Sequence, residues 1–563
     1  MGRLISVSLF LLLTTSICQA FADDFDAFPR AGDPHGERAP TGKVFKRADG
    51  KEIPPYDTVY YFDQLIDHDD PSLGTFKQRY WHTAEFYQPG GPIIVYSPGE
   101  GNAEGHTSRL TNSSITGHMA QLFNGATVLL EHRFYGYSNP YPDLKGTTLA
   151  KYHTLEQAVN DLEYFAKNVK LPMEGGDDVG PEKAPWILSG CSYMGALTAW
   201  TMQAKPGLFH AGWSSSAPVQ PIYNFWRYYE PIRKNMAKNC SADAQAVINY
   251  VDKTLDTNDV NKIRELKDVF GMANVSNVND FAGALTRPFW TWQSVNPLSG
   301  AKTDFNEFCD ALEVDGSGQH ASDQGWGEYK ALQAWGKYYK ETWIPKACGS
   351  TPVGQCFTRR AANDIVDPKT INTTINNSGR SWDWQVCSQV GWHQAGAPGD
   401  EPTLRLVSKY HTLEWANRPC KHNFPDAPTD TGAGINKTIS MYKGWDLNVD
   451  RLVTVYGGRD PWIEASLGAS TLNRASTDRM PIIFAEQGTH CSEISMRYGQ
   501  ADPTIGAAMS KAIEHMKKWM AEWHEKNGKP SSSSGKTTTT AASDVSEDKV
   551  VVDHLHELKV LPH

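Results

Sequence analysis

No two cysteines in this chain are spaced C-x-x-C. That absence argues against structural zinc and against a dithiol redox site. Positive charge is not in excess either: 54 Lys and Arg stand against 64 Asp and Glu, a net charge of -10 with His neutral. So mildly acidic a balance argues against nucleic acid as the main partner, because phosphate neutralisation needs a basic face. After residue 20 no uninterrupted apolar run is long enough to cross a bilayer, and the body is expected to be soluble. Glycine (47) and proline (33) are spread along the chain, which excludes a collagen-like or low-complexity architecture. Large side chains, by contrast, are plentiful. With 18 Trp, 23 Tyr and 21 Phe in 563 residues the chain can bury a sizeable core, and it is too long for one simple domain.

The first twenty residues read as an address. Arg3 gives the positive start, Leu4 to Ile17 is apolar or small, and Cys18-Gln19-Ala20 offers small residues for cleavage, the pattern of a secretory signal. As a membrane anchor the stretch is too short. Export changes the reading of the cysteines. Eight remain after Cys18 leaves, an even number, and an oxidising compartment favours disulfides. Six N-x-S/T sequons, at Asn112, Asn239, Asn274, Asn372, Asn376 and Asn436, fit an exported glycoprotein.

The chain divides into zones. Residues 21–55 are polar and aperiodic, a pro-region ending near Lys46-Arg47 or a flexible arm. Residues 56–219 alternate strands with helices: Pro92 to Tyr96, Ala126 to Leu130 and Trp186 to Ser189 are short apolar runs suited to buried parallel strands. Between them Thr154 to Val169 is helical in period, with Thr154 and Gln157 as a capping box. Residues 220–425 hold six cysteines and helical patterns, which predicts an inserted, mostly helical, disulfide-tied domain. The α/β pattern resumes over 426–528 with strands at Leu452 to Tyr456 and Pro481 to Ala485, then a long helix carrying Ile505, Met509, Ile513, Met516, Met520 and Trp523 on one face. Residues 529–563 are a Ser/Thr-rich linker and tail.

The strand Trp186 to Ser189 runs into Gly190-Cys191-Ser192-Tyr193-Met194-Gly195, with a helical stretch from Ala196 to Ala204 behind it. Strand, tight turn with a central Ser, then helix is the layout of a nucleophile elbow. The turn lifts the hydroxyl above the sheet edge and sets the Tyr193 N–H at a helix N-terminus, where it can hold an oxyanion. The pattern wants Gly where this chain has Met194, so the motif alone does not separate a nucleophile from an ordinary turn serine. Order strengthens it. Asp460 follows one later strand and His490 the next, the acid-then-His order of α/β-hydrolases.

These blocks resemble the serine peptidase family of prolyl (Pro-Xaa) carboxypeptidase, dipeptidyl peptidase II and thymus-specific serine protease, and most of all its fungal secreted proline-specific members. The resemblance rests on Phe62 to His68, Thr75 to Trp81, Gly99 to Gly101, Glu131-His-Arg-Phe-Tyr-Gly136, Gly190 to Gly195, Ser215 to Pro218, Gly458 to Trp462 and Gly488 to His490. It implies an α/β-hydrolase fold with the insertion as lid, and a triad of Ser192, Asp460 and His490. It also implies oxyanion donors at Tyr193 and the Gly99–Glu100 loop, and substrate contacts at Glu100, Trp462 and Met194. Glu100 is open between binding a substrate's N-terminal amine and an ion pair with Arg133. Gln389 stands where Glu is usual in the family. No cofactor or metal is implied, and the partners are proline-containing peptides or proteins, with neither nucleic acid nor membrane.

Three functional readings remain. The first is a secreted peptidase cleaving after proline (extracellular, with vacuole or lysosome as alternatives). Dipeptidyl cleavage is its variant, and an esterase or a binding protein on a dead hydrolase scaffold are the others. A working triad also brings Cys191 and Cys491 close, since they flank Ser192 and His490, so the two are expected either to bridge, to stay free, or to pair with lid cysteines.

Overall fold

In the computed structural model, residues 38–42, 44–47, 50–358, 368–398, 405–427 and 429–528 are described. The signal segment 1–20 and the tail 529–563 lie outside them. Eight strands form one sheet: β1 (Tyr60–Leu65), β2 (Thr75–Thr83), β3 (Ile93–Tyr96), β4 (Ala126–Leu130), β5 (Trp186–Cys191), β6 (Ala211–Ser215), β7 (Leu452–Gly457) and β8 (Ile482–Ala485). Their spatial order is β1-β2-β4-β3-β5-β6-β7-β8. β2 is antiparallel to both neighbours, and every pairing from β4 to β8 is parallel. Chain order reverses around β3, so the loops after β3 and β5 emerge side by side at the carboxyl edge, where open α/β sheets form their crevice.

The apolar runs become strands because both of their faces are covered. Ile93, Val95, Trp186 and Leu188 pack on one side; Ile94, Tyr96, Ile187 and Trp213 pack on the other. The first face is covered by α2 (Leu155–Asn168) and α3 (Tyr193–Ala204), the second by α1 (Ile115–Phe123) and α8 (Pro503–Asn527). Thr154 caps α2, its hydroxyl accepting the Gln157 N–H at 3.2 Å. Only half of the expected capping box forms, because the Gln157 side chain turns to Asp67 and the His68 N–H instead.

Between β6 and β7 lies the insertion, whose helices include α4 (Lys238–Asp256), α5 (Asp304–Glu313) and α6 (Ser378–Gln385). Cys240–Cys309, Cys348–Cys356 and Cys387–Cys420 cross-link it internally. Its apolar interior is continuous with the α2/α3 side of the sheet, so lid and body share a core. A parallel pair, Ile222–Asn224 with Gly391–His393, joins the start of the insertion to the segment that follows α6. α7 (Thr431–Tyr442) joins both parts: Thr431 and Thr438 donate to the Cys387 and Gln389 carbonyls, while Tyr442 stacks on Trp200 of α3. A lid boundary at 425 therefore cuts through continuous packing.

Two short strands stand in the segment read as a pro-region or flexible arm. Phe45–Lys46 pairs with Glu52–Ile53, and Arg47 donates to the Ala84 and Tyr87 carbonyls. Five sequon asparagines are exposed, and Asn239 on α4 is half-buried. Among the described residues no helix is long and apolar enough to cross a membrane.

Candidate active site

At the carboxyl end of β5 the backbone turns sharply. Ser192 has φ 59° and ψ −129°, a conformation costly for a residue with a Cβ, and α3 begins at the next residue. The helix starts three positions earlier than the apolar pattern suggests, directly from the turn. Glycines make the turn possible. A Cβ on Gly190 would lie 2.5 Å from the Met194 carbonyl oxygen, and one on Gly195 would lie 2.5 Å from the Ser215 carbonyl oxygen. Gly195 thus supplies the close helix–strand approach one position later than the expected spacing. Met194 is fully buried against Gly190, which resolves the irregular motif.

The loops after β7 and β8 meet backbone to backbone, because a Cβ on Gly457 would fall 2.4 Å from the Gly488 carbonyl oxygen. Arg459 N–H donates to that same Gly488 oxygen at 2.9 Å. The result sets Asp460 beside His490. His490 Nδ1–H donates to Asp460 Oδ1 at 2.8 Å, and Ser192 Oγ–H donates to His490 Nε2 at 2.8 Å. All three side chains are inaccessible to solvent. Cys191 and Cys491 bridge with Cα atoms 5.9 Å apart, tying the elbow to the histidine loop, so the remaining six cysteines pair within the insertion.

Tyr193 opens α3, where an N–H lies outside the helix's own hydrogen-bond ladder. The Gly99 loop packs over it: a Cβ there would sit 3.2 Å from Tyr193 Cδ1. Gly99 N–H already donates to Ser97 Oγ at 3.2 Å. Glu100 is buried near enough to Tyr193 to raise its phenol further, after burial itself. The Arg133 guanidinium grips Asp161 through Nε at 2.6 Å and Nη2 at 2.5 Å.

Trp462 lies with its ring centroid 6.1 Å from that of His490. Phe225, Tyr228 and Trp392, all from the lid, close around it at 5.5–5.7 Å between ring centroids. Trp382 stacks on Trp392 and tilts against Tyr193. Trp462 Nε1–H donates to Gln293 Oε1 at 2.8 Å, which satisfies its polar end. None of these lid residues was singled out by sequence; no local pattern marks an aromatic residue that faces a site rather than a core.

The Glu131–Gly136 block is scaffold around the elbow. Glu131 accepts from Arg79, Ser138 Oγ and the Ala103 and Tyr137 N–H groups. Gly136 sits so close that a Cβ would fall 2.0 Å from Glu131 Oε1. His132 reaches the Tyr193 hydroxyl at 3.0 Å. Gln389 accepts the Leu155 N–H at 2.6 Å and donates to the His153 carbonyl, a structural tie between lid and α2. Among the described residues no group of three or more His, Cys, Asp or Glu is arranged to hold a metal.

A family model described as "Serine carboxypeptidase S28" matches residues 64–511. The chain is 30% identical over 489 residues to "Serine protease vicPb" of Bipolaris victoriae, covering 83% of this chain and 90% of that one. It is 31% identical over 450 residues to a "Probable extracellular serine carboxypeptidase" of Arthroderma benhamiae, covering 77% and 62%. To human "Thymus-specific serine protease" it is 22% identical over 478 residues, covering 82% and 86%. Among solved structures, "The structure of esterase Est22" aligns at TM-score 0.28 and 10% identity over 90% of this chain and 89% of that one. A sequence match that begins in β1, crosses the whole insertion and ends in α8 makes this α/β-hydrolase chain a member of the serine carboxypeptidase S28 family and a serine-type peptidase.

Proposed function

We propose that the protein is a secreted peptidase that hydrolyses peptide bonds on the C-terminal side of proline through Ser192, His490 and Asp460. The observation that carries the chemistry is the unbroken hydrogen-bond chain from Ser192 Oγ through His490 to Asp460. His490 Nε2 takes the Ser192 proton as Oγ attacks the scissile carbonyl, while Asp460 holds the tautomer and steadies the imidazolium. The oxyanion is received by the Tyr193 N–H together with the Gly99–Glu100 segment. His490 then protonates the leaving amine, an acyl-serine remains, and water activated by His490 releases it.

Proline preference is supported by the ring of Trp462, Phe225, Tyr228 and Trp392 beside His490, flat apolar walls that suit a pyrrolidine. Secretion is supported by the N-terminal signal pattern, four disulfides and the extracellular relative. Dipeptidyl cleavage stays as a second reading because Glu100 is a buried carboxylate beside the elbow, suited to a substrate's amine. Digestion of one peptide with an internal proline, followed by mass analysis of the products, tests the proposal. Cleavage only after proline supports it, and equal cleavage after leucine refutes it. Release of N-terminal dipeptides alone selects the second reading.

A further inference from the structure

Three glutamine and serine side chains on the lid segment that begins with α6 fall at intervals of four: Ser381, Gln385 and Gln389. Together they form part of the polar seam with the body, alongside Arg380, whose Nε–H donates to the Leu144 carbonyl. Ser381 Oγ–H donates to the Phe134 carbonyl at 2.7 Å, and Gln389 binds α2. Gln385, in the middle, reaches the elbow itself. Its Nε2–H donates to the Tyr193 hydroxyl at 2.7 Å, and its Oε1 accepts from the Tyr135 hydroxyl.

The direction of this chain is fixed by its far end. His132 Nδ1 faces the Arg133 carbonyl at 2.7 Å, an acceptor only, so Nδ1 carries the proton. Burial pushes His132 down to about 4, so the ring is neutral and Nε2 is an acceptor. Tyr193 must then donate to His132, and its oxygen is left to accept from Gln385. Gln385 is 1% exposed and Tyr193 wholly buried, so water does not substitute for either partner.

We infer that Gln385, although it belongs to the lid, is a positioning residue for the oxyanion donor: by holding the Tyr193 phenol it fixes the first turn of α3 and the N–H that Tyr193 presents beside Ser192. The inference rests on the proposed role of Ser192 and the Tyr193 N–H. It adds that the lid does more than cover the cleft; its docking sets the geometry in which negative charge is stabilised. Tyr193 is one residue from Ser192, so tilting the phenol re-aims the amide. An N–H worth about 10²–10³ in rate when removed loses part of that value when misdirected.

The donor and acceptor pattern supplies the test. Leucine at 385 removes both partners. Glutamic acid, when protonated, can donate to Tyr193 and accept from Tyr135 as glutamine does; when ionised it can only accept, and Tyr193 must abandon His132 to serve it. The titratable groups facing this position are Tyr135 and Tyr193, with His132 and His153 behind them and Glu100 acting on Tyr193. Four full-length proteins are compared on one proline peptide: wild type, Gln385→Leu, Gln385→Glu, and Gln389→Leu as a seam variant that does not touch Tyr193.

Gln385→Leu is expected to lower kcat about tenfold or more with KM changed less than about threefold, since the donor acts on the transition state. Gln385→Glu is expected to approach wild type near pH 5, and its kcat ratio to wild type falls as pH rises toward about 9. Gln389→Leu is expected to lose thermal stability while kcat stays within about twofold. A Gln385→Leu kcat within threefold of wild type, a pH-independent Gln385→Glu ratio, or an equal kcat loss in Gln389→Leu overturns the positioning role. Fluorophosphonate labelling of wild type is run alongside. If Ser192 is not the labelled residue, the underlying reading falls and takes this one with it. If Ser192 is labelled and kcat survives in Gln385→Leu, the positioning role alone falls.

Discussion

Breaking the Cys191–Cys491 bridge is a perturbation whose size follows from chain topology. The bond closes a loop of 300 residues, against 69, 33 and 8 for the three bridges of the lid. Loop-closure entropy assigns about 6 kcal/mol to the first and about 2.5 kcal/mol to the shortest. The three bridges inside the long loop short-circuit part of it, but the dependence is logarithmic and the figure falls by only about 0.4 kcal/mol. Both sulfurs are buried, so alanine at each site adds a small cavity and no stranded polar group. Cys191→Ala with Cys491→Ala should therefore cost about 3 kcal/mol more than Cys348→Ala with Cys356→Ala, read as guanidinium midpoints followed by tryptophan fluorescence. The same bond tethers the residues next to Ser192 and His490. At denaturant-free conditions the long-loop variant should also lose about tenfold or more in kcat/KM, and the short-loop variant should not. A long-loop midpoint equal to or above the short-loop one refutes the entropic reasoning. Undiminished activity refutes the tethering.

Trp462→Ala should narrow the preference for proline over leucine at P1 on the order of tenfold, measured as the ratio of kcat/KM values, while the folded fraction at room temperature is unchanged. In the lid, burial and the neighbouring Asp243 carboxylate push Glu313 up to about 8. Because the folded state holds that proton more tightly than the unfolded chain, its contribution is fully present below the ordinary glutamate range and is lost as pH climbs from about 5 through about 8. Denaturant midpoints should fall between those pH values and flatten in Glu313→Gln; an unchanged slope in the variant excludes Glu313 as the cause. Gly195→Ala should abolish accumulation of folded protein, since its methyl would meet the Ser215 carbonyl oxygen at 2.5 Å, and a soluble, active variant would contradict that.

Most of the parallel strands were legible because burial on both faces leaves short apolar runs bounded by turn residues, as in Ile93 to Tyr96 and Leu452 to Gly457, whereas β6, with the small and polar sequence Ala-Gly-Trp-Ser-Ser, carries no such run. The positions of Ser192, Asp460 and His490 were legible for a related reason, since loops at strand ends carry their order in the chain. What stayed hidden is set by distant packing. Gln385 meets Tyr193 across 192 residues, and Phe225 meets Trp462 across more than two hundred; no local spacing records such encounters. The Arg133–Asp161 ion pair is hidden for the same reason, because Asp161 lies on α2 and only the fold brings it within reach. The contacts of Arg47 with the Ala84 and Tyr87 carbonyls likewise leave no mark in a polar, aperiodic stretch of sequence. The shift of the elbow glycine from position 194 to 195 also needed the structure, since only contact distances reveal which residue bears the close approach.

The most direct test of the central claim is to titrate the purified protein with a fluorophosphonate while following hydrolysis of a proline peptide, and then to map the adduct by mass spectrometry. The account predicts one phosphonate per chain, carried on Ser192, with activity lost in proportion to labelling. An adduct on any other residue, or a fully labelled protein that still cleaves the peptide, would contradict it.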